Sequence, residues 1–135
     1  MLLLLFLKLI MKNILVKARR DDIPREWVIG APKYSWEGKE GLKLTEVIDN
    51  SGNAYNIKQR SICQNTFLKD SMSNEIFEND IIEINYEDET PKKWVVCFNK
   101  IMGMFRLKMY EGHGERMLFP LNERAVIIGN IKDSK

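Results

Sequence analysis

Apolar and polar residues alternate at a period of two along much of this chain, which is the spacing of strands with one buried face, and from Ile81 onward no segment carries the helical period of about 3.6 residues. Ile14, Val16 and Ala18 against Lys17 and Arg19 predict a first strand over 13–19 with one polar face. Asp21-Asp22-Ile23-Pro24 then turns the chain, and Glu26-Trp27-Val28-Ile29-Gly30 reads as the hairpin partner. The next stretch, 31–41, holds Pro32, Gly38 and Gly41 among polar and aromatic residues and reads as an irregular loop. Leu42 to Ile48 resumes the extended pattern, Asp49-Asn50-Ser51-Gly52-Asn53 is a hairpin turn, and Ala54-Tyr55-Asn56-Ile57 is the return strand. Over 58–64 a short helix competes with extended chain, which Ile62 favours.

The stretch from Ser61 to Tyr86 organises the rest. Ser61-Ile62-Cys63 is strand-like, 68–74 is a polar turn, and Ile76-Phe77, too short for a helix, is expected to plug the core while the chain reverses. Asn74 and Asn79 tolerate a left-handed backbone, and Asp70, Ser71, Ser73 and Asp80 can bond nearby amides. Ile82, Ile84 and Tyr86 share one face of the strand that follows, with Glu83 and Asn85 on the other. Further on, Trp94, Val96 and Phe98 oppose Val95 and Cys97 in a strand apolar on both faces and therefore central. After a turn at 99–103, Phe105, Leu107 and Met109 point inward, 117–121 returns toward the core, and 125–131 is again apolar on both faces. The expected fold is mainly β, α+β overall, with an N-terminal β-hairpin subdomain followed by a small SH3-like β-barrel.

Length and composition allow one core, or two small ones packed together. With 21 basic and 19 acidic residues the net charge is +2, so composition implies no strong field for nucleic acid or membrane lipid. Cys63 and Cys97 read as buried thiols, and a single histidine with no C-x-x-C leaves a structural zinc site without ligands; no cofactor is expected. The leucine-rich start is interrupted at Lys8 and Lys12, short of the roughly 18 to 20 apolar residues that span a bilayer, and it lacks the marks of a signal peptide. Residues 1–10 are accordingly read as a non-native or disordered leader ahead of Met11.

Candidate chemistry is sparse. Glu75, Glu78, Asp80 and Glu83 form the densest acidic group, but turn chemistry explains Asp80, and Glu78 is expected to face water. His113 lies in a glycine-flanked loop far in sequence from either cysteine, so no nucleophile and base pair is visible, and no enzyme is predicted. Lys92, Lys93, Trp94, Lys100, Phe105, Arg106, Lys108, Tyr110 and Arg116 interleave cations with aromatics, the composition of a single-strand nucleic-acid surface. The plainer reading is an amphipathic sheet face with lysines outward and aromatics inward. Surplus apolar residues such as Trp36, Met104 and Phe119, with open sheet edges, predict self-association.

Leu68-Lys69-Asp70 followed by Glu75-Ile76-Phe77-Glu78-Asn79-Asp80-Ile81-Ile82 resembles the L-K-D-x-x-G-x-x-I-[FY]-E-G-D-I-V motif of the YopX family of bacteriophage and prophage proteins. Lys17-Ala18-Arg19-Arg20 with Trp27-Val28-x-Gly30, the 48–55 turn with Tyr55, Ser61-Ile62-Cys63-Gln64-x-Thr66 and Ile127-Ile128-Gly129-Asn130-Ile131 resemble its other landmarks in the same order, so the likeness covers 11–131. The chain departs from it at Asn65-Thr66-Phe67-Leu68, where the family commonly has tyrosine-threonine-glycine-leucine, and at Asn79, which replaces a glycine. The resemblance implies a YopX-like domain at 11–131, divided into 11–66 and the barrel at 67–131, with a tail at 132–135. It implies phage origin, and so the cytoplasm of a bacterial host, but no mechanism. The expectation is a non-catalytic accessory protein that contacts an unidentified protein, with nucleic-acid binding through the 92–116 face as the alternative.

Overall fold

The computed structural model describes residues 15–86, 90–117 and 124–133. The leader at 1–10, the start of the first expected strand at 13–14, the return at 118–121 with Phe119, and residues 134 and 135 of the tail lie outside the described residues. The strands are β1 (Val16–Arg19), β2 (Trp27–Trp36), β3 (Leu42–Ile48), β4 (Ala54–Asn56), β5 (Cys63–Lys69), β6 (Glu75–Phe77), β7 (Asp80–Ile84), β8 (Lys92–Asn99), β9 (Met104–Met109), β10 (Glu115–Met117) and β11 (Ala125–Asn130). Helical structure among the described residues is limited to 3-10 turns at Gly38–Glu40 and Gln59–Ser61. The fold is therefore mainly β and antiparallel throughout, and the expected α component reduces to these two turns. The chain divides into two compact units, Met1–Gln64 and Asn65–Lys135.

In the first unit the hydrogen-bonded order is β4-β3-β2-β1-β5. β1 pairs with β2 from Val16 opposite Gly30 to Arg19 opposite Trp27. β2 then continues against β3, from Ala31 opposite Ile48 to Trp36 opposite Leu42. Most of the segment read as an irregular loop is thus strand. Pro32 is tolerated there because this half of β2 has a described neighbour on one edge only, so its missing N–H breaks no ladder bond on the other. Gly30 lies at the changeover, where a Cβ would stand 2.0 Å from the Ile48 carbonyl oxygen, and only glycine lets the two backbones pass. Val16, Ala18, Val28, Leu44, Val47 and Ile57 form the core of this unit.

Arg19, placed on the polar face by its alternation, is buried. Its guanidinium Nε donates to the Pro24 carbonyl, so the turn satisfies a donor that water would otherwise have to reach. Its backbone N–H donates to Ser61 Oγ at 2.8 Å, and that hydroxyl donates to the Lys58 carbonyl at 2.7 Å. Ser61 is thereby held in a 3-10 turn, and the strand begins at Cys63 rather than Ser61.

In the second unit β6 pairs with the later part of β5, and β7 to β11 form a sheet in the order β10-β9-β8-β7-β11. Four strands meander, and the fifth returns to pair with the first, Ala125 opposite Ile84 through Asn130 opposite Asp80. β10 and β11 each have one described neighbour, so the described strands do not close a barrel. Ile76, Ile82, Ile84, Trp94, Val96, Leu107 and Ala125 make the core, with Leu68, Tyr86, Phe105, Met109 and Ile127 packed against it. Ile76 and Phe77 are both essentially inaccessible. Burial of each such side chain contributes about 1.5–3 kcal/mol.

Candidate interaction surface

The corner between β5 and β7 is densely hydrogen-bonded. Asp70 Oδ1 accepts the N–H groups of Met72 and Asn74, and its Oδ2 accepts that of Ile127 in β11 at 3.1 Å. Burial raises the Asp70 pKa, but the three amides outweigh it and hold the carboxyl below the ordinary aspartate value. Asp80, fully buried, accepts the Phe77 N–H at 2.8 Å and the Asn130 side-chain amide at 2.9 Å. Asn79 donates its N–H to Val96 O and accepts from Ile131, while Asn130 Nδ2 also reaches Glu78 O. Gly129 sits opposite Ile81 just after a bulge in β11.

Of the landmark residues, Asp70, Phe77, Glu78, Asn79, Asp80 and Asn130 are thus joined by hydrogen bonds that tie the corner to β11, with Gly129 in the paired strand; Ile76 lies in the core with Leu68 packed against it, and Lys69 pairs with Glu75. Asn79 takes a positive φ of 71°, as its side chain permits; in the preceding turn Ser73, not Asn74, does so at 64°. Phe67 is also left-handed, at 65°. The backbone keeps the conformation expected of the glycine it replaces, inside a bulge where Asn65 Oδ1 accepts the Phe67 N–H and Thr66 Oγ1 accepts the Leu68 N–H. Phe67 is left 66 % exposed. Glu78 is half-buried, and no group of three or more His, Cys, Asp or Glu among the described residues could hold a metal ion.

The seven residues of the nucleic-acid alternative do not share a face. Lys92 and Trp94 are two apart on β8, and Arg116 lies opposite Leu107, which lies opposite Val96, so these three face the core side. Lys93, Arg106 and Lys108 face the other side, and Lys100 lies in the β8–β9 turn. Trp94 is buried in the core, so it offers no exposed ring for a base to stack on. Arg106 pairs with Glu115 at 2.8 Å, and Lys108 stands opposite the same Glu115, which offsets the charge there. Burial, followed by Glu115, pushes the Cys97 thiol up and makes it a poor nucleophile; His113 is exposed.

The end of the β8–β9 hairpin is different in character. Asn99 Oδ1 accepts the N–H groups of Ile101 and Met102, each at 3.0 Å, and Asn99 O accepts that of Gly103, whose φ is 66°. This fixed turn holds Ile101 97 % exposed and Met102 largely exposed, with Met104 beside them. Phe98, expected inward, is also exposed; it meets Phe105 edge to face at 5.2 Å. Two apolar residues in a turn are the available sequence signal, and strand alternation hides it. In the first unit Trp36 and Leu42, directly opposite at the β2–β3 end, are exposed too.

These features define a small antiparallel β protein whose polar corner residues build structure while its hairpin ends display apolar side chains. A family model described as YopX protein matches residues 29–134, and the chain belongs to that family. No curated protein matches the chain. No helix among the described residues is long and apolar enough to cross a membrane.

Proposed function

We propose that this protein is a non-catalytic interaction module of phage or prophage origin, acting in the host cytoplasm, and that the β8–β9 hairpin end is its contact with a partner protein. The observation that carries this is the rigid display of Ile101, Met102, Met104 and Phe98: a turn hydrogen-bonded through Asn99 spends its order on holding apolar side chains in water. The SH3-like barrel reading fits the strand order of the second unit, a four-stranded meander with the fifth strand paired back on the first. The split of the cations between two faces favours protein contact over nucleic acid.

The test is a pull-down from phage-infected cells, with light scattering on the purified chain to detect self-association. Ile101→Asp with Met102→Asp is expected to abolish the captured or self-associated species while leaving the fold intact, since both residues lie outside the core. The Lys92/Lys93/Arg106 triple substitution to glutamine is expected to retain it. The reverse outcome, together with salt-sensitive binding of single-stranded DNA, would move the reading to nucleic acid.

A further inference from the structure

The β2–β3 hairpin reaches past the core of the first unit as a two-stranded arm. Tyr34 stands opposite Leu44 and Trp36 opposite Leu42, so these four side chains share one face. Leu44 belongs to the core, and the same face then runs on into water: Tyr34, Leu42 and Trp36 are 56 %, 68 % and 72 % exposed. The reverse face is polar, with Ser35 opposite Lys43 and Ser35 Oγ 3.1 Å from Thr45 Oγ1, and these three residues are half-buried. The arm therefore shows water its apolar face more fully than its polar one. Its tip is fixed: the Glu37 N–H donates to the Gly41 carbonyl at 2.8 Å across the 3-10 turn, where Gly38 and Gly41 take positive φ values of 58° and 75°. A contiguous apolar face held out by an ordered turn marks a contact surface.

Charge and symmetry point to the occupant. From Lys33 to Glu46 the arm carries Lys33, Lys39 and Lys43 against Glu37, Glu40 and Glu46, so its charges cancel. A two-fold contact sets a surface against itself; a patch of one sign then repels its mate, and a balanced one does not. The β8–β9 end shows the opposite case. Lys100 is the one charged residue between Phe98 and Met104, and apposing two copies there would set lysine against lysine. Two aromatic rings and a leucine at the exposures of the arm cover roughly 400 Å² per copy, half of the about 800 Å² that each partner gives to a standard interface. Such an area is too small for an obligate dimer and suits a reversible one.

We infer that the β2–β3 arm is a homodimer contact, in which Tyr34, Trp36 and Leu42 pack against the same three residues of a second copy about a two-fold axis. The dissociation constant is expected at about 10–100 μM, in keeping with a small, mostly apolar contact. This goes beyond the partner contact at the β8–β9 end and does not depend on it. A dimer carries two β8–β9 ends, so it offers a multimeric partner two contacts.

Sedimentation velocity of the full chain, from well below to well above that range, is expected to show a monomer–dimer equilibrium. Acrylamide quenching of tryptophan fluorescence locates the contact, because Trp36 is exposed while Trp27 is half-buried and Trp94 buried. Quenching is expected to fall as the dimer forms. Leu42→Lys keeps the Trp36 probe, lies outside the core and is expected to weaken the dimer about tenfold or more. Tyr34→Ser is expected to act in the same direction and stands in for it should Leu42→Lys fold poorly. Ile101→Asp with Met102→Asp removes association through the β8–β9 end and is expected to leave the arm dimer unchanged. Loss of partner capture beside an intact dimer would thus count against the β8–β9 reading alone. A monomer at every concentration, an unchanged midpoint in folded Leu42→Lys or Tyr34→Ser, or a dimer lost in the Ile101→Asp/Met102→Asp variant would overturn the inference. So would Trp36 protection that is independent of concentration, as when a segment of its own chain covers the arm, and so would species growing beyond the dimer, since a two-fold contact closes.

Discussion

Two five-residue turns, 49–53 in the first unit and 70–74 in the second, are built on one plan and attached to their surroundings in two ways. In each, an aspartate Oδ1 accepts the N–H groups two and four residues on, Ser51 and Asn53 for Asp49, Met72 and Asn74 for Asp70. In each, the first N–H donates to the last carbonyl at 2.9 Å, and the fourth residue has a positive φ, 86° for Gly52 and 64° for Ser73. The first turn is anchored by backbone, because Gly30 passes against Ile48 and Asp49 with no room for a side chain. The second is anchored by its own side chain, through Asp70 Oδ2 to Ile127, and by the Ser71 N–H to the Ala125 carbonyl. Identical local chemistry therefore carries little long-range stability in one place and much in the other.

The largest effect that would test this contrast is at Gly30. In Gly30→Ala a methyl group would stand 2.0 Å from a carbonyl oxygen, a contact that only a shift of β2 against β3 can relieve. The expected loss is about 3 kcal/mol or more, within the range of severe backbone and packing substitutions, read from urea denaturation. A Gly30→Ala variant as stable as the wild type would mean that the close passage is not what anchors the first turn.

Asp70→Ala comes next. It removes a charged acceptor from three amides, of which two sit in an exposed turn that water can serve, while the third belongs to the closing strand. We expect a loss of about 3 kcal/mol, most of it from the Ile127 contact and the buried carboxylate site. Asp49→Ala should cost clearly less, since the two amides that Asp49 serves both lie within its own exposed turn. Both carboxyls should respond to acid in the same direction, because backbone amides hold each below the ordinary aspartate value. A folded-state pKa held below the ordinary value contributes stability above the unfolded pKa, and that contribution is lost as the pH falls through the folded one. The stability gap between wild type and Asp70→Asn should therefore be full above about pH 4, the unfolded aspartate range, and close progressively below it. A gap that widened in acid would reverse the sign and sink the assignment.

Much of this is legible in the sequence, for reasons that vary by residue. Both turns stand out because Asp, Asn, Ser and Gly report local backbone bonding directly. Ile76 and Phe77 belong in the core because two apolar residues between turns have nowhere else to go. Alternation misplaces Arg19 and Phe98 because it says which side a residue points to but not what waits there: a turn carbonyl for Arg19, and the end of the sheet for Phe98. The 31–36 half of β2 is hidden by Pro32, whose cost disappears at an edge that sequence cannot reveal. The two hairpin ends need the register that sets Leu42 opposite Trp36 and Phe105 opposite Phe98.

Exchange of the fourth turn residue gives a smaller test. Gly52→Ser should cost about 1 kcal/mol, because a side chain is forced into the left-handed region. Ser73→Gly should return part of the same amount in the second turn, net of the entropy glycine gains when unfolded. Opposite signs at the two positions would confirm one plan with two occupants. Equal losses would show that the Ser73 hydroxyl contributes something glycine cannot.

The smallest expected effect is at Phe67, and it bears most directly on function. An L-residue in the left-handed region costs about 1–2 kcal/mol, and replacing it with glycine returns that less about 0.5–1 kcal/mol of unfolded-state entropy. Phe67 is 66 % exposed and outside the core, so Phe67→Gly loses little burial. The net expectation is a gain of about 0.5–1 kcal/mol in chemical denaturation, with the Asn65 and Thr66 bonds of the bulge preserved. An aromatic side chain turned outward at a cost to its own fold has the profile of strain kept for a purpose. The decisive comparison is therefore between stability and partner capture in the same variant: Phe67→Gly should be more stable, and a simultaneous loss of the captured partner would add Phe67 to the contact surface. If Phe67→Gly were instead less stable than the wild type, the phenyl ring must be packing where the structure shows it exposed, and the strain argument would fall.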